Sequence, residues 1–239
     1  MRSSLVLTRL CLLLLLAAPA SAQRAPDAQA LLDGWAADWR RAARSVEAIE
    51  AEERMTRTVD GPRGDLRIET ESTVRYDWGG APSRDVTRLR VNDRDRDPRD
   101  RRTRGRFGRA FGPAGRDVVA PPLLPGVAFA DAEAGGIEAD RLGGTPAWRV
   151  DLRLGDRPDR ATAWFSRGPR PRLLRVRFEG ARPGRGRYER TVEYARVDGL
   201  DLAVATETAV TVRQRRRLRS YEVTLTSEGR YSAFRLRGR

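Results

Sequence analysis

The residue types that most often carry catalysis are scarce in this chain. The sequence contains no histidine and no lysine, and its single cysteine is Cys11. Without histidine, the Ser–His and Cys–His nucleophile pairs and the usual zinc sites are excluded. The sequence also lacks a Gly-x-Ser-x-Gly elbow, a P-loop and a dinucleotide fingerprint. The common enzyme classes built on these motifs are therefore excluded.

Acidic residues offer little more chemistry. The run from Asp93 to Asp97 resembles the start of a calcium loop, but Pro98 and Arg104 stand where that loop requires Gly and Glu. An enzyme using only carboxylates and arginines, such as a polysaccharide-cleaving one, would need two inward-facing acidic residues, and the apolar strand faces show none. We therefore predict that the chain is not an enzyme, with no catalytic residue, no metal and no cofactor.

The only long apolar run lies at the N-terminus. Arg2 and Arg9 precede an apolar run from Leu10 to Ala18, and the small residues Ala20-Ser21-Ala22 follow it. This order is typical of a secretory signal peptide, so we predict cleavage after Ala22 and a periplasmic mature chain. The run is about half of the roughly 20 residues that a membrane span needs. The mature chain would contain no cysteine, so no disulfide would stabilise it.

Positive charge dominates the sequence. It has 47 basic and 33 acidic residues and a formal net charge of +14, which loss of Arg2 and Arg9 would lower to +12. Such a field attracts anionic surfaces, so an anionic membrane surface is a possible partner. The basic runs at 99–109 and 213–219 lack a matching set of stacking aromatic residues, and we predict no nucleic-acid partner.

One amphipathic helix is predicted, from Asp27 to Val46. Its apolar residues recur at helical spacing and include two tryptophans one turn apart, Trp35 and Trp39. Asp27 follows a proline and is a good N-cap. The sequence leaves open whether this apolar face only packs on a sheet or covers a cavity.

The remaining chain shows the one-sided alternation of half-buried strands. Alternation is clearest from Leu66 to Trp78, and it occurs from Ile49 to Val59, where Glu53 and Arg57 interrupt the apolar face. Turn residues at 60–64 and the Asp-Gly pair within 197–200 predict hairpins. Further strands are predicted at 87–91, 148–154, 160–166, 174–178, 188–194, 200–212, 221–225 and 231–236.

Two features of the strand pattern remain open in the sequence. At 160–166, Trp164 and Phe165 are adjacent, so the inward face cannot be assigned. The segment 92–126 begins with a dense run of charges and continues with apolar residues among glycines and prolines. Long loops in compact domains are usually functional or disordered, so both a lid and an insertion packed at the sheet edge fit this segment.

Sequential strands joined by short turns predict a mainly β fold. We expect a curled antiparallel sheet forming an unclosed β-barrel, with the N-terminal amphipathic helix covering its concave side. A two-layer sandwich is the alternative. The predicted domains are a signal peptide, 1–22, and a single half-barrel domain, 23–239, with a long loop insertion at 92–126.

The predicted ligand-binding site is the apolar interior beneath the helix, which would act as a lid. It comprises four tryptophans and four residues of the 92–126 loop: Trp35, Trp39, Trp78, Phe107, Phe111, Leu123, Leu124 and Trp148. Each aromatic residue, taken singly, also fits an ordinary core.

The order of these parts carries a family resemblance. The signal peptide, the amphipathic helix and a hairpin ending at Trp78 are followed by a Pro-Leu-Leu-Pro segment at Pro122–Pro125 and a closing Tyr-Ser-Ala-Phe at Tyr231–Phe234. This layout resembles the LolA/LolB-like superfamily of periplasmic lipoprotein carriers and outer-membrane lipoprotein-sorting proteins. The resemblance implies an unclosed barrel whose apolar concave side holds acyl chains beneath a helical lid. No individual ligand residue is carried over from the family.

Two hypotheses about function follow. The leading one is a periplasmic carrier or binding protein for lipid or lipoprotein acyl chains held in an apolar cavity. The alternative is a cell-envelope interaction module, such as a sensor or assembly factor, with a filled core and an envelope protein as partner.

Overall fold

The computed structural model describes residues 25–61, 64–77, 83–100, 125, 129, 132–154, 160–182, 186–216 and 219–238. The predicted signal peptide, Trp78, and the loop residues Phe107, Phe111, Leu123 and Leu124 lie outside the described residues. Among the helices that the structure describes, none is both long enough and apolar enough to cross a membrane.

The described strands form one antiparallel sheet of eleven strands in the order β4-β3-β2-β1-β11-β10-β9-β8-β7-β6-β5. Their bounds are β1 Val46–Asp60, β2 Leu66–Asp77, β3 Ser83–Val91, β4 Arg94–Arg96, β5 Ala132–Leu142, β6 Thr145–Leu154, β7 Arg160–Ser166, β8 Leu173–Arg182, β9 Gly186–Val197, β10 Leu200–Arg216 and β11 Arg219–Gly238. β4 and β5 are the two edges, so the sheet does not close. The predicted unclosed antiparallel fold is confirmed, and the two-layer sandwich is wrong.

One strand pair departs from sequence order. β1 and β11 are antiparallel neighbours, with Ile49 opposite Leu236 and Val59 opposite Leu225. This pair joins the meander β1–β4 to the meander β5–β11. The first and the last strand in sequence order are therefore neighbours in the middle of the sheet.

A single described helix, α1, Ala28–Ala43, packs on one face of the sheet. We call this the inner face; it carries the buried residues Val150, Ala163, Val176 and Val192. The side chains of α1 that are buried against it include Leu32, Trp35 and Trp39. The predicted helix is confirmed, although it ends at Ala43 and Val46 already belongs to β1.

The N-terminus of α1 is capped as the sequence predicts. The Asp27 carboxylate accepts a hydrogen bond from the backbone N–H of Ala30 at 2.8 Å. We expect Asp27→Ala to lower the free energy of unfolding by about 1 kcal/mol, because that N–H loses its partner. Chemical denaturation followed by circular dichroism measures the change, and Asp27→Asn, which keeps an accepting oxygen, should stay near wild type. Equal losses in both variants would contradict the cap.

The opposite, outer face of the sheet is solvated and rich in ion pairs. On β2, Ile68 and Val74 are buried, whereas Arg67 and Glu69, the two neighbours of Ile68, belong to the outer face. Glu69 accepts from Arg90 of β3 at 3.2 Å. The predicted division into an apolar and a charged strand face is confirmed here.

Two strands arise where the sequence pattern does not indicate them. Asn92 and Asp93 adopt φ of 46° and 63°, so the chain turns immediately and β4 pairs back on β3 within the predicted loop. Asn and Asp tolerate this left-handed backbone better than other side chains do. β5 contains Gly135 and Gly136, which remove the apolar alternation that marks the other strands. β5 nevertheless pairs along its length with β6.

The predicted Asp-Gly hairpin and the orientation of β7 are both settled by the backbone. Asp198 and Gly199 have φ of 46° and 87° and connect β9 to β10. Phe165 is buried on the inner face, whereas the Trp164 indole N–H donates to Asp140 Oδ2 at 2.8 Å. This hydrogen bond holds the pKa of the Asp140 carboxyl below its usual range. Phe165 is thus the inward member of the aromatic pair.

Candidate functional site

Three of the eight residues predicted to line the ligand site are described, and all three lie in one core. Trp35 is 1% exposed, Trp39 is 2% exposed and Trp148 is 4% exposed. They belong to the apolar layer between α1 and strands β6 to β10. Trp78 and the four loop residues lie outside the described residues, so their part in a site stays a prediction. The predicted helix face therefore meets the sheet in close contact.

Aromatic rings fill the layer around Trp35. Its ring centroid lies 5.7 Å from that of Phe165 in an edge-on arrangement and 6.2 Å from that of Phe129. Phe129 in turn stacks on Phe178 with a centroid distance of 6.1 Å. Such ring pairs add about 0.5–1.5 kcal/mol beyond the area that they bury. Phe129 was not predicted, because it stands alone among small residues in a segment without periodicity.

A buried carboxylate, Asp201, joins α1 to the sheet. Its Oδ2 accepts from the Trp35 indole N–H at 2.8 Å and from the Leu173 backbone N–H at 2.9 Å. Its Oδ1 accepts from Arg196 at 3.1 Å. The Trp39 indole N–H donates to the Asp201 backbone carbonyl at 3.1 Å. Both tryptophans of the helix are thus hydrogen-bonded to a single residue, and we call this arrangement the Asp201 anchor.

The β9–β10 hairpin positions the Asp201 anchor. The Asp198-Gly199 turn sets the register that places Asp201 opposite Arg196. The carboxylate is 0% exposed and has a guanidinium and two neutral donors as partners. A buried charge is tolerated only when it is paired in this way. The sequence gives one signal for it: an acidic residue between two leucines in a strand that is otherwise apolar.

Glu53, like Asp201, shows that the expectation of no acidic residue on the apolar side of the strands was wrong. It shares the inner face of β1 with Ala51 and Met55 and is 1% exposed. Arg84 of β3 donates to both of its oxygens at 2.7 Å, and the Ser72 hydroxyl donates to Oε2 at 2.8 Å. The fork of an arginine on a carboxylate is the strongest common side-chain pair, and it makes this burial possible. In the sequence, Glu53 is only an interruption of the apolar face of this strand, because the alternation of apolar residues does not show its partners.

Two more arginines, Arg57 of β1 and Arg190 of β9, lie on the inner face of the sheet. Arg57, Ser227, Thr208 and Arg190 are successive cross-strand neighbours on β1, β11, β10 and β9. Burial is the main cause that lowers the pKa of Arg57 and of Arg190 below the ordinary value. The four residues thus form one row across four adjacent strands.

Tyr231 and the glycine beside it shape this part of the face. Burial raises the pKa of the Tyr231 hydroxyl, and the nearby Glu53 carboxylate raises it further. A Cβ atom at Gly229 would lie 3.9 Å from that hydroxyl and 2.8 Å from the Thr206 hydroxyl. The space beside Gly229 is therefore already occupied by its neighbours, and a side chain at this position would clash with Thr206. We call Glu53, Arg57, Ser72, Arg84, Arg190 and Tyr231 the inner polar cluster.

Neither buried carboxylate has the arrangement of a catalytic acid or base. Glu53 and Asp201 are each engaged by an arginine and by neutral donors. No group of three acidic, histidine or cysteine side chains that could hold a metal ion occurs in the described part of the chain. The arrangement favours binding over proton transfer, and the absence of catalysis stays a prediction.

A surface cleft opens between β7 and β10, away from the tryptophans. It is lined by charged and small residues that include Arg160, Arg177, Arg187, Glu189 and Thr211. Arg177 bridges Glu179 at 2.8 Å and Glu189 at 2.9 Å across this cleft. None of the predicted ligand residues lines it.

Comparisons with known proteins give similarity at the level of structure. No protein-family model matches the sequence, and no curated protein matches it. The chain is similar to an outer membrane lipoprotein-sorting protein domain from Vibrio parahaemolyticus, with 12% identity, 87% of this chain and 93% of that chain covered, and a TM-score of 0.38. It is also similar to a DUF1329 family protein from Desulfovibrio piger, with 12% identity, 86% and 92% covered, and a TM-score of 0.40.

Proposed function

We propose that this chain is a periplasmic carrier or binding protein for lipid or lipoprotein acyl chains. The observation that supports the proposal is the position of α1. The helix covers the apolar inner face of an unclosed sheet, and both of its tryptophans are hydrogen-bonded to one residue of that sheet. A further polar contact joins α1 to β5, where the Ala134 backbone N–H donates to the Gln29 side chain at 2.7 Å. Movement of the helix away from these contacts would expose two apolar surfaces at once.

Burial of an acyl chain releases enough free energy to replace the apolar contacts between α1 and the sheet. Each CH₂ group removed from water contributes about 0.8 kcal/mol, so a chain of sixteen carbons would gain about 12 kcal/mol before the cost of ordering it. Moving α1 exposes Leu32, Trp35 and Trp39, which an acyl chain would cover again. The ligand would thus replace the contacts that the helix makes in the closed state.

Analysis of the protein as secreted tests this proposal. Native mass spectrometry of chain purified from the periplasm should show co-bound lipid, and the delipidated protein should bind a fluorescent fatty acyl probe. A consistently empty protein with no affinity for the probe would overturn the proposal. Recovery from the periplasm, with a mature N-terminus at Gln23, tests the predicted signal peptide in the same preparation.

One observation favours the second candidate, a cell-envelope interaction module. Trp35, Trp39 and Trp148 are packed in ring-to-ring and ring-to-aliphatic contact, as in a core that serves stability. An envelope protein would then bind a surface of the sheet while α1 stays in place. The carrier should bind an acyl probe and lose that binding when the helix cannot move, whereas the interaction module should not bind the probe in either state.

A disulfide between α1 and the β9–β10 turn would hold the helix against the sheet. A Cβ atom at Gly199 would lie 3.9 Å from the Ala42 Cβ, which is within the range of a disulfide. We expect Ala42→Cys with Gly199→Cys to lose at least about tenfold in acyl-probe affinity when oxidised and to regain it when reduced, because Trp39 lies one turn from the lock. Fluorescence titration measures both states.

Two controls accompany the lock. Ala42→Cys alone should bind the probe equally in oxidising and reducing buffer. Gly199→Cys alone measures the strain of a side chain at φ of 87°, a backbone region costly for residues other than glycine. Full probe affinity in the oxidised double variant would show that binding does not need the helix to move.

A further inference from the structure

The turns at one end of the sheet carry a concentration of positive charge. The β5–β6, β7–β8 and β9–β10 turns all lie at this end, because alternate turns of an antiparallel meander share an end. The C-terminus of α1 lies there too, since a Cβ atom at Gly199 would be 3.9 Å from the Ala42 Cβ. Six arginines belong to these segments, and we call them the basic end: Arg40, Arg44, Arg141, Arg167, Arg170 and Arg172.

The Asp201 anchor holds parts of the basic end together. The Trp39 indole N–H donates to the Asp201 backbone carbonyl at 3.1 Å, and Trp39 immediately precedes Arg40. The Leu173 backbone N–H donates to Asp201 Oδ2 at 2.9 Å, and Leu173 immediately follows Arg172. The end of the helix and the β7–β8 turn are therefore both held beside one buried residue.

The β7–β8 turn presents its arginines on a restrained backbone. The Ser166 backbone N–H donates to the Arg172 carbonyl at 2.9 Å, and the Arg172 backbone N–H donates to the Ser166 hydroxyl at 2.9 Å. Pro169 and Pro171 restrict the backbone on either side of Arg170, because the proline ring fixes φ. A restrained loop loses less conformational entropy when it binds a partner.

Arg167 connects the basic end to the apolar layer under α1. Its guanidinium carbon lies 4.3 Å from the centre of the Trp148 ring, and its Nε donates to the Ala147 backbone carbonyl at 3.1 Å. Trp148 belongs to the same buried layer as Trp35. The basic end therefore adjoins the region where α1 covers the inner face.

The positive charge of the basic end is largely uncompensated. Five of its arginines are exposed, and Arg167 is half-buried. Within the described part of the chain, none of the six forms an ion pair with an acidic residue. The same segments hold fewer acidic side chains: Asp38 is paired with Arg41 at 2.8 Å, and Asp140 and Asp198 are the others. The field at this end is therefore positive.

We propose that the basic end docks this protein on an anionic lipid surface. The inference rests on the proposed function for one point, that the anionic surface consists of lipid. Each arginine near such a surface strengthens binding by about fivefold. In this orientation the C-terminus of α1 and the layer beneath it face the membrane. An acyl chain would then pass between the membrane and the space under the helix over a short distance.

Co-sedimentation with vesicles tests the docking surface. The full-length chain, exported and purified from the periplasm, is mixed with vesicles of phosphatidylcholine or of equal parts phosphatidylcholine and phosphatidylglycerol. The wild type should bind the anionic vesicles at least about tenfold more tightly, and 1 M salt should remove the difference because it shortens the screening length to about 3 Å. Arg170→Gln combined with Arg172→Gln should weaken binding to the anionic vesicles by about 25-fold, the product of two fivefold losses.

Arg153→Gln combined with Arg160→Gln is the matched control. Both residues are exposed, they are cross-strand neighbours, and their removal changes the net charge by the same amount. Arg160 begins β7 and Ser166 ends it, so the control lies roughly 20 Å from the β7–β8 turn, about two screening lengths at 0.1 M salt. The control should therefore retain vesicle binding within about threefold. Both double variants should keep the thermal midpoint of the wild type within about 2 °C, because all four side chains are exposed.

Equal binding of the wild type to neutral and anionic vesicles would overturn the docking surface. Equal losses in the two double variants would also overturn it, because the attraction would then belong to the net charge. Titration of the same preparations with the fluorescent acyl probe distinguishes this inference from the carrier function. Anionic-vesicle binding that only the turn variant loses, without probe affinity in the wild type, would overturn the carrier function and leave the docking surface standing. Probe affinity without preference for anionic vesicles would overturn the docking surface alone.

Discussion

Replacing Asp201 with alanine should lower the free energy of unfolding by about 3–5 kcal/mol. The substitution leaves the Trp35 indole N–H and the Leu173 backbone N–H without their acceptor, and both bonds are buried. It also removes the partner of Arg196. In a chain of this size the loss should lower the thermal midpoint by roughly 10 °C. Thermal unfolding followed by far-UV circular dichroism measures it.

A matched variant separates charge from shape. Asp201→Asn keeps the volume and one accepting oxygen, so it should lose less than the alanine variant does. Trp39 donates to the backbone carbonyl of Asp201, and that bond should survive in both variants. An alanine variant whose midpoint stays within about 2 °C of wild type would show that the anchor contributes little to stability.

Replacing Trp35 with alanine should cost about 3–5 kcal/mol of unfolding free energy, the usual range for removing a buried large aromatic side chain. Trp35 is among the largest fully buried side chains, and it contacts Phe165 and Phe129 edge-on or tilted. The substitution also removes one donor to Asp201. Denaturant unfolding monitored by circular dichroism gives the value without relying on tryptophan fluorescence.

Trp35→Phe is the control for the ring. It retains most of the apolar volume but not the indole N–H, so it should recover more than half of the loss. If alanine and phenylalanine variants unfolded at the same denaturant concentration, the hydrogen bond to Asp201 would outweigh the packing. The carrier function adds a further expectation: the alanine variant should bind the acyl probe at least as tightly as wild type, because a vacated apolar site accepts an apolar guest.

Short-range sequence patterns predict the helix, most of the strands and one hairpin turn of this fold. Helical spacing and the Asp27 cap locate α1, and alternation locates the interiors of strands such as β2 and β11, although not those of β4 and β5. The Asp-Gly turn appears where two left-handed residues are needed. These features depend on interactions within a few residues, so the sequence shows them directly.

The buried carboxylates and the packing of the tryptophans depend on contacts between residues that are distant in sequence, so the sequence does not show them. Asp201 and Glu53 look like interruptions of apolar strands, because their partners Trp35 and Arg84 are distant in sequence. The packing of three tryptophans into one layer depends in the same way on sheet order. Burial of a charge can be predicted only when its partner is known, and alternation does not provide partners.

The pairing of β1 with β11 has a consequence for how the chain folds. Ile49 pairs with Leu236, which is far away in the sequence, so this pairing has the largest loop-closure entropy of any in the described sheet. Pairings of such high contact order form late. The two meanders can form from local hairpins, but the sheet becomes continuous only when the last strand has been delivered. β11 therefore joins the two parts of the sheet. Before β11 has formed, β1 and β10 would each be an uncovered sheet edge.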